Sequence, residues 1–227
     1  MWTRTWKKSE FSKGDPLTSS LSPRRATEVL IVLTILVISM GGMIRIYDAG
    51  ESCPDWPTCF GTWGFDISEE EQGEWWEENP DEADSRGSGH RYSSFQIFTE
   101  WFHRLLAGAF VGPLVILNWL LIRKEAWTSS RVRGVSSLTL GLILWQGAIG
   151  WLTVKMDNEN WSVAIHLGSA MAFLISLIWL WMEIRRDEDE LPDWISFDPL
   201  IGMKWRKLVG ILSVSYTHLR AHETRIH

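Results

Sequence analysis

The sequence predicts an all-α membrane protein, a transmembrane four-helix bundle, and three observations carry that class. Four apolar stretches, nearly free of charge, each have about the 20 residues that cross a bilayer. Lysine and arginine gather beside their ends on one side, and tryptophans gather at the span ends. A net charge of −6 and a mean hydropathy near zero do not oppose the class, because a long acidic loop and a basic tail dilute the average.

The spans are expected at 26–46, 98–122, 134–154 and 161–182. The first is expected to stay in the membrane: its apolar run is too long for a cleaved signal, and "GGMIRIYDAG" offers no small-x-small cleavage site. The tail 1–25 carries Arg4, Lys7, Lys8, Lys13, Arg24 and Arg25. The second connection carries Arg123, Lys124, Arg131 and Arg133, and the segment after the fourth span carries Arg185 and Arg186. By the positive-inside rule these face the cytoplasm, so both ends of the bundle's chain are expected there, in the cell (inner) membrane, with loop 47–97 outside. Trp101, Trp127, Trp151, Trp161 and Trp181 suit an interfacial belt. Lipid is the expected surroundings, and no nucleic-acid partner is expected.

The outer loop holds both cysteines of the chain, in "ESCPDWPTCF". Cys53 and Cys59 lie just beyond the first span in the oxidising compartment, where a disulfide forms and persists, so they are expected to pair. A structural staple and a redox-active pair both remain open; zinc is not expected without a second ligand pair of suitable spacing. The following segment, "DISEEEQGEWWEENPDEADSRGSGH", has the charge density of a solvated, partly disordered loop and lacks the alternating ligands of a calcium loop. His90, at its end, is assigned no role.

Ionisable residues inside a span are costly and by default mark function. Glu100, His103 and Arg104 fall in the first turns of the second span, in "FTEWFHRLLAGAF", and His166 falls in the fourth, in "NWSVAIHLGSAMAF". The two histidines sit at matched depth. Each opens the same pattern, His-x-x-x-Ala-x-Ala-Phe, through Ala107, Ala109 and Phe110 and through Ala170, Ala172 and Phe173. Positions four and seven after each histidine should share its helix face. That suits a flat ligand between two helices, with imidazoles on the metal from opposite sides, alanine giving room and phenylalanine packing the edge: haem with His103 and His166 as axial ligands of its iron. Glu100 and His103, three apart, are expected on one face.

"GGMIRIYDAGESCPDWPTCFG", "TEWFHR" and "GWLTVKMDNENWSVAIHLGSA" together resemble the haem A synthase family of cytochrome oxidase assembly, over Gly41 to about Ala170. The resemblance implies one half of a two-fold pseudo-symmetric eight-helix membrane protein. It implies an oxidoreductase that converts a methyl group of haem O to the formyl group of haem A. His103 and His166 then resemble the axial pair of the substrate site, Glu100 the acid that assists the oxidation, and Cys53 and Cys59 the family's outer disulfide. Haem O synthase is the implied substrate donor, and haem b the implied cofactor of a carboxy-terminal half. Arg104 is the expected contact for a haem propionate, whereas Arg45 is expected to snorkel to lipid phosphate.

After a linker at 183–207, the run "KLVGILSV" starts a fifth span at 208–214. It then gives way to "SYTHLRAHETRIH" at 215–227, which is expected to be non-native sequence on a truncated gene; His218 and His222, four apart, are not expected to bind metal. Activity would then need the missing carboxy-terminal half or a homo-oligomer. Two other classes remain: a non-catalytic or electron-transfer haem-binding bundle, and a membrane thiol oxidoreductase using the cysteine pair.

Overall fold

The computed structural model describes residues 22–82, 86–156 and 158–188. Outside them lie the basic tail to residue 21, all of the linker beyond residue 188, the start of a fifth span at 208–214, and the segment 215–227 with His218 and His222.

Six α-helices follow one another: α1 Pro23–Ile46, α2 Glu69–Glu78, α3 Ser94–Leu105, α4 Gly112–Lys124, α5 Ser130–Lys155 and α6 Asn160–Asp187, with a π-helical turn, Leu106–Val111, joining α3 to α4. No strand occurs among the described residues. α1, the continuous α3–α4 rod, α5 and α6 are long and apolar enough to cross a membrane, which is the predicted four-span class. Each span extends a few residues beyond its apolar run, because capping residues stand outside that run. Ser22 and Ser129 accept backbone N–H bonds from Arg25 and Val132, and Pro23 sits in a first turn, where a missing N–H is harmless. Ser93 and Gln96 cap α3 reciprocally.

The spans close a ring. α1 packs on α6 and on the α3–α4 rod, α4 packs on α5, and α5 packs on α6. Large apolar side chains such as Val32, Ile35, Leu144 and Ile175 point outward, as they must when lipid is the solvent. Inside, Leu30, Val111, Val115, Phe173 and Leu177 fill the middle, while Ile122, Val132, Val135, Leu180 and Ile184 fill the end away from the cysteines. Of the expected tryptophan belt, Trp127, Trp151 and Trp161 are exposed; Trp101 instead donates to the Trp63 carbonyl and Trp181 to Glu28.

The acidic loop departs from expectation where it is described: it contains α2. Ser68 and Glu71 form a capping box, and three glutamates occupy the first turn beside the positive end of the helix dipole. The Ser68 backbone N–H, and then its hydroxyl, hold the Glu71 carboxyl below its ordinary value of 4.5. Gln72 is buried and bonds the Tyr92 backbone twice, accepting at 2.8 Å and donating at 3.0 Å. Trp76 then joins Cys53, Cys59, Phe60, Ile67, Tyr92 and Ile97 in a compact cluster. Composition pointed to solvation because it averages over the face of α2 that is buried. This cap is strapped to the α5–α6 turn by Lys155 on Glu82 and Asn158 on the Gly50 carbonyl, and beside it Arg45, at the end of α1, donates to Asn160 at the start of α6.

Candidate functional site

The site lies between the cysteine-end cluster and the middle core. His103, in the last turn of α3, turns its ring toward α1: Nδ1 is 3.1 Å from the Val37 carbonyl oxygen. A carbonyl only accepts, so Nδ1 carries the proton and Nε2 keeps its lone pair. His166, in the second turn of α6, lies against α5, and its Nδ1 is buried without a hydrogen bond. His103 rests against Gly41 of α1 and His166 against Gly150 of α5, and each of these glycines lies five residues before its helix end.

The histidines' surroundings match only in part. Ala107 and Ala170, one turn beyond each histidine, are both half-buried. The phenylalanines diverge: Phe173 is 2% exposed in the middle core, whereas Phe110 is 52% exposed on the outside. The expectation that both flank the ligand fails at Phe110 because the π-helical turn lies between it and His103. There the Gly112 N–H reaches back five residues to the Ala107 carbonyl, just before Pro113, which has no N–H to donate. The wider turn uses one extra residue, so position seven no longer returns to the histidine's face.

Glu100 and His103 serve different partners. The Glu100 carboxylate, on a residue 5% exposed, accepts from the Ser52 hydroxyl and the Cys53 N–H, both at 3.0 Å, and from Arg104 at 2.5 Å. Arg104 also donates to the carbonyls of Cys53, Thr58 and Asp55. Those bonds engage four of its five N–H donors and leave Nε–H for any further anion. The pair thus clasps the cysteine loop onto α3. Cys53 and Cys59 are joined as a disulfide, each 1% exposed. Arg45 reaches Asn160 at the start of α6. His90 stacks edge-on against Tyr92, away from the other histidines.

The donor set fits haem iron. Among the described residues no group of three or more His, Cys, Asp or Glu could hold a bare metal ion. Two imidazoles are enough only when the remaining ligands come from a macrocycle, and a ligating histidine ordinarily donates its other N–H to a carbonyl, as His103 does. Sequence reasoning missed Ser52 and Val37, which no local pattern marks.

Fold and site define a class: a multi-pass membrane bundle with two half-buried imidazoles on different spans near one end. The chain belongs to the cytochrome oxidase assembly protein family, COX15-CtaA, which it matches over residues 24–217. It is 32% identical over 157 residues to the "Heme A synthase" of Shewanella oneidensis, a match covering 69% of this chain and 44% of that protein. It is 26% identical over 201 residues to the "Heme A synthase COX15" of Saccharomyces cerevisiae, covering 78% and 40%. It is 29% identical over 168 residues to a Schizosaccharomyces pombe "Heme A synthase-mitochondrial ferredoxin fusion protein", covering 65% and 26%. The chain spans about half the length, or less, of these relatives. No solved structure matches it.

Proposed function

We propose that this chain is the substrate-binding half of a haem A synthase, holding haem O between His103 and His166. The observation that carries the reading is the His103 ring, fixed by the Val37 carbonyl with Nε2 left free, together with the His166 ring resting on α5 at the corresponding place in that helix. Haem O would be the substrate: one ring methyl gains a hydroxyl from water in each of two steps, each step passing two electrons to the redox partner and releasing two protons, and loss of water from the doubly hydroxylated carbon leaves the formyl group of haem A.

The chain's own residues supply position and electrostatics. His103 would offer its Nε2 to the haem iron, and His166 a ring nitrogen. Glu100, one turn before His103, places a negative charge in a site of low dielectric, where it stabilises positive charge developing at the substrate edge or accepts a proton from it. Arg104 balances that carboxylate and offers Nε–H to a propionate. The cysteine cap excludes water from the same end. The placement of lysine and arginine puts this cap outside the inner membrane with both termini cytoplasmic. The family reading names haem O synthase as donor, and a haem b-bearing half, or a second copy of this chain, as the redox partner.

A haem carrier without oxidase activity is the second reading, favoured by the engagement of both Glu100 oxygens with Ser52, Cys53 and Arg104. The test is the visible spectrum of the detergent-solubilised chain reconstituted with haem, beside His103→Ala and His166→Ala. A six-coordinate low-spin spectrum lost in both variants is expected. Formyl-bearing haem in the extract identifies the enzyme, and unmodified haem the carrier. A wild-type chain that takes up no haem, or a spectrum indifferent to both substitutions, refutes the site.

A further inference from the structure

We propose that Gly41 and Gly150 are positioning residues, each a seat that fixes the orientation of one histidine ring. The inference rests on the haem reading for its purpose but on apoprotein geometry for its content. A Cβ added at Gly41 would stand 3.4 Å from His103 Cε1 and 3.9 Å from its Nδ1. A Cβ added at Gly150 would stand 3.3 Å from His166 Cε1 and 3.9 Å from each ring nitrogen. At Gly150 the distance to Cε1 is tighter than an ordinary methyl contact, so the His166 ring would have to give by a few tenths of an ångström, whereas at Gly41 it stands at the near limit of ordinary contact and leaves the His103 ring no room on that side.

The two glycines stand at matching places in their helices. Gly41 lies five residues before the end of α1 at Ile46, and Gly150 lies five before the end of α5 at Lys155. At 1.5 Å per residue both are about 7.5 Å from their helix ends, so the rings rest at one level on opposite members of the ring of helices. Val37 stands four residues before Gly41. In an α-helix a carbonyl points along the axis toward the residue four further on, so a side chain at that residue crowds any outside donor approaching the carbonyl. Glycine at 41 clears the way for Nδ1–H of His103 to share the Val37 oxygen. Gln146 stands in the same relation to Gly150, and its side chain holds the adjoining α6 backbone through Ser169 and the His166 carbonyl.

Other glycines of the same helices make the argument specific. A Cβ at Gly42 or Gly147 meets nothing within 4 Å. Glycine in a helix interior costs about 1 kcal/mol relative to alanine, so helical propensity alone favours alanine at all four positions. At 41 and 150 the ring contact supplies the reason for glycine.

The test compares Gly41→Ala and Gly150→Ala with Gly42→Ala and Gly147→Ala in the full chain in micelles, by nitrogen-15 spectra of the histidine rings without haem and then by titration with haem. In the wild type His103 should show the Nδ1–H tautomer. Gly41→Ala should shift the His103 ring signals, Gly150→Ala those of His166, and the two controls neither. Loss of an outer-shell support typically weakens metal binding about 10-fold or more, and each seat variant should bind haem weaker by that factor, with altered low-spin electron paramagnetic resonance signals. Ring signals and haem affinity unchanged in both seat variants overturn the proposal. So does a wild-type His103 in the Nε2–H tautomer, a result that needs no variant to fold. Ring signals that shift in a wild-type background taking up no haem uphold the seats and refute the haem reading.

Discussion

Replacing Glu100 by glutamine should loosen the cysteine cap while leaving the bundle folded. The substitution preserves volume but leaves one acceptor oxygen where two served. Oε2 holds Ser52 and Cys53, and Oε1 holds Arg104, so the amide can satisfy the loop or the guanidinium but not both. Their side chains are 6% and 13% exposed, so Arg104 would be left as a charge largely shut off from water. Breaking a buried pair from one side costs about 3–5 kcal/mol, and Arg104 keeps its three loop carbonyls, which places this case near 3 kcal/mol. Local opening of the loop should then rise on the order of 100-fold, since 1.4 kcal/mol is a factor of ten. The assay is the rate at which a small thiol reduces Cys53–Cys59 in micelles, followed by alkylation and mass measurement. Equilibrium unfolding by tryptophan fluorescence runs beside it. Glu100→Gln with Arg104→Met strands no charge but also removes the three bonds to the loop carbonyls, so it should recover only part of the loss. A single-variant reduction rate within a factor of two of wild type, with unchanged stability, would refute the clasp.

Removing the disulfide with Cys53→Ser and Cys59→Ser should destabilise the cap by roughly 2 kcal/mol, the closure entropy of so short a loop, and expose Trp76 to a fluorescence quencher while the spans keep their helical signal. Phe173→Ala should cost about 2 kcal/mol, from a residual cavity of roughly 100 Å3 at about 24 cal/mol per Å3, whereas Phe110→Ala should change stability by less than about 0.5 kcal/mol; equal losses in thermal unfolding would contradict the π-helical register. The Glu71 carboxyl is held below 4.5 in the folded cap, so its contribution is present above that value and lost as pH falls through the lower, folded value. Hydrogen exchange at the start of α2, relative to its intrinsic rate, should therefore speed up as pH falls below 4.5, and that dependence should shrink but persist in Ser68→Ala, which removes the hydroxyl bonds with Glu71 and keeps the backbone one.

The sequence by itself determined the spans and the histidine pair. A span is a local property, set by an apolar run of sufficient length and closed by residues such as Ser22, Ser93 and Ser129 that cap it. His103 and His166 stood out because an ionisable group in such a run demands an explanation. Only the tertiary structure decided where their rings point. Gly41 and Val37 are more than sixty residues from His103 in the chain, and nothing in the local pattern marks them as its neighbours. The repeat around the histidines suggested two like-facing phenylalanines, and one wide turn before Pro113 sent Phe110 outward. The acidic segment read as solvated because composition ignores which face of a helix a partner covers; Gln72 and Trp76 are buried only because Tyr92 and the disulfide are there to meet them. Local hydropathy fixes which segments enter the membrane, whereas ring orientation and cap packing depend on distances between segments that only the assembled bundle defines.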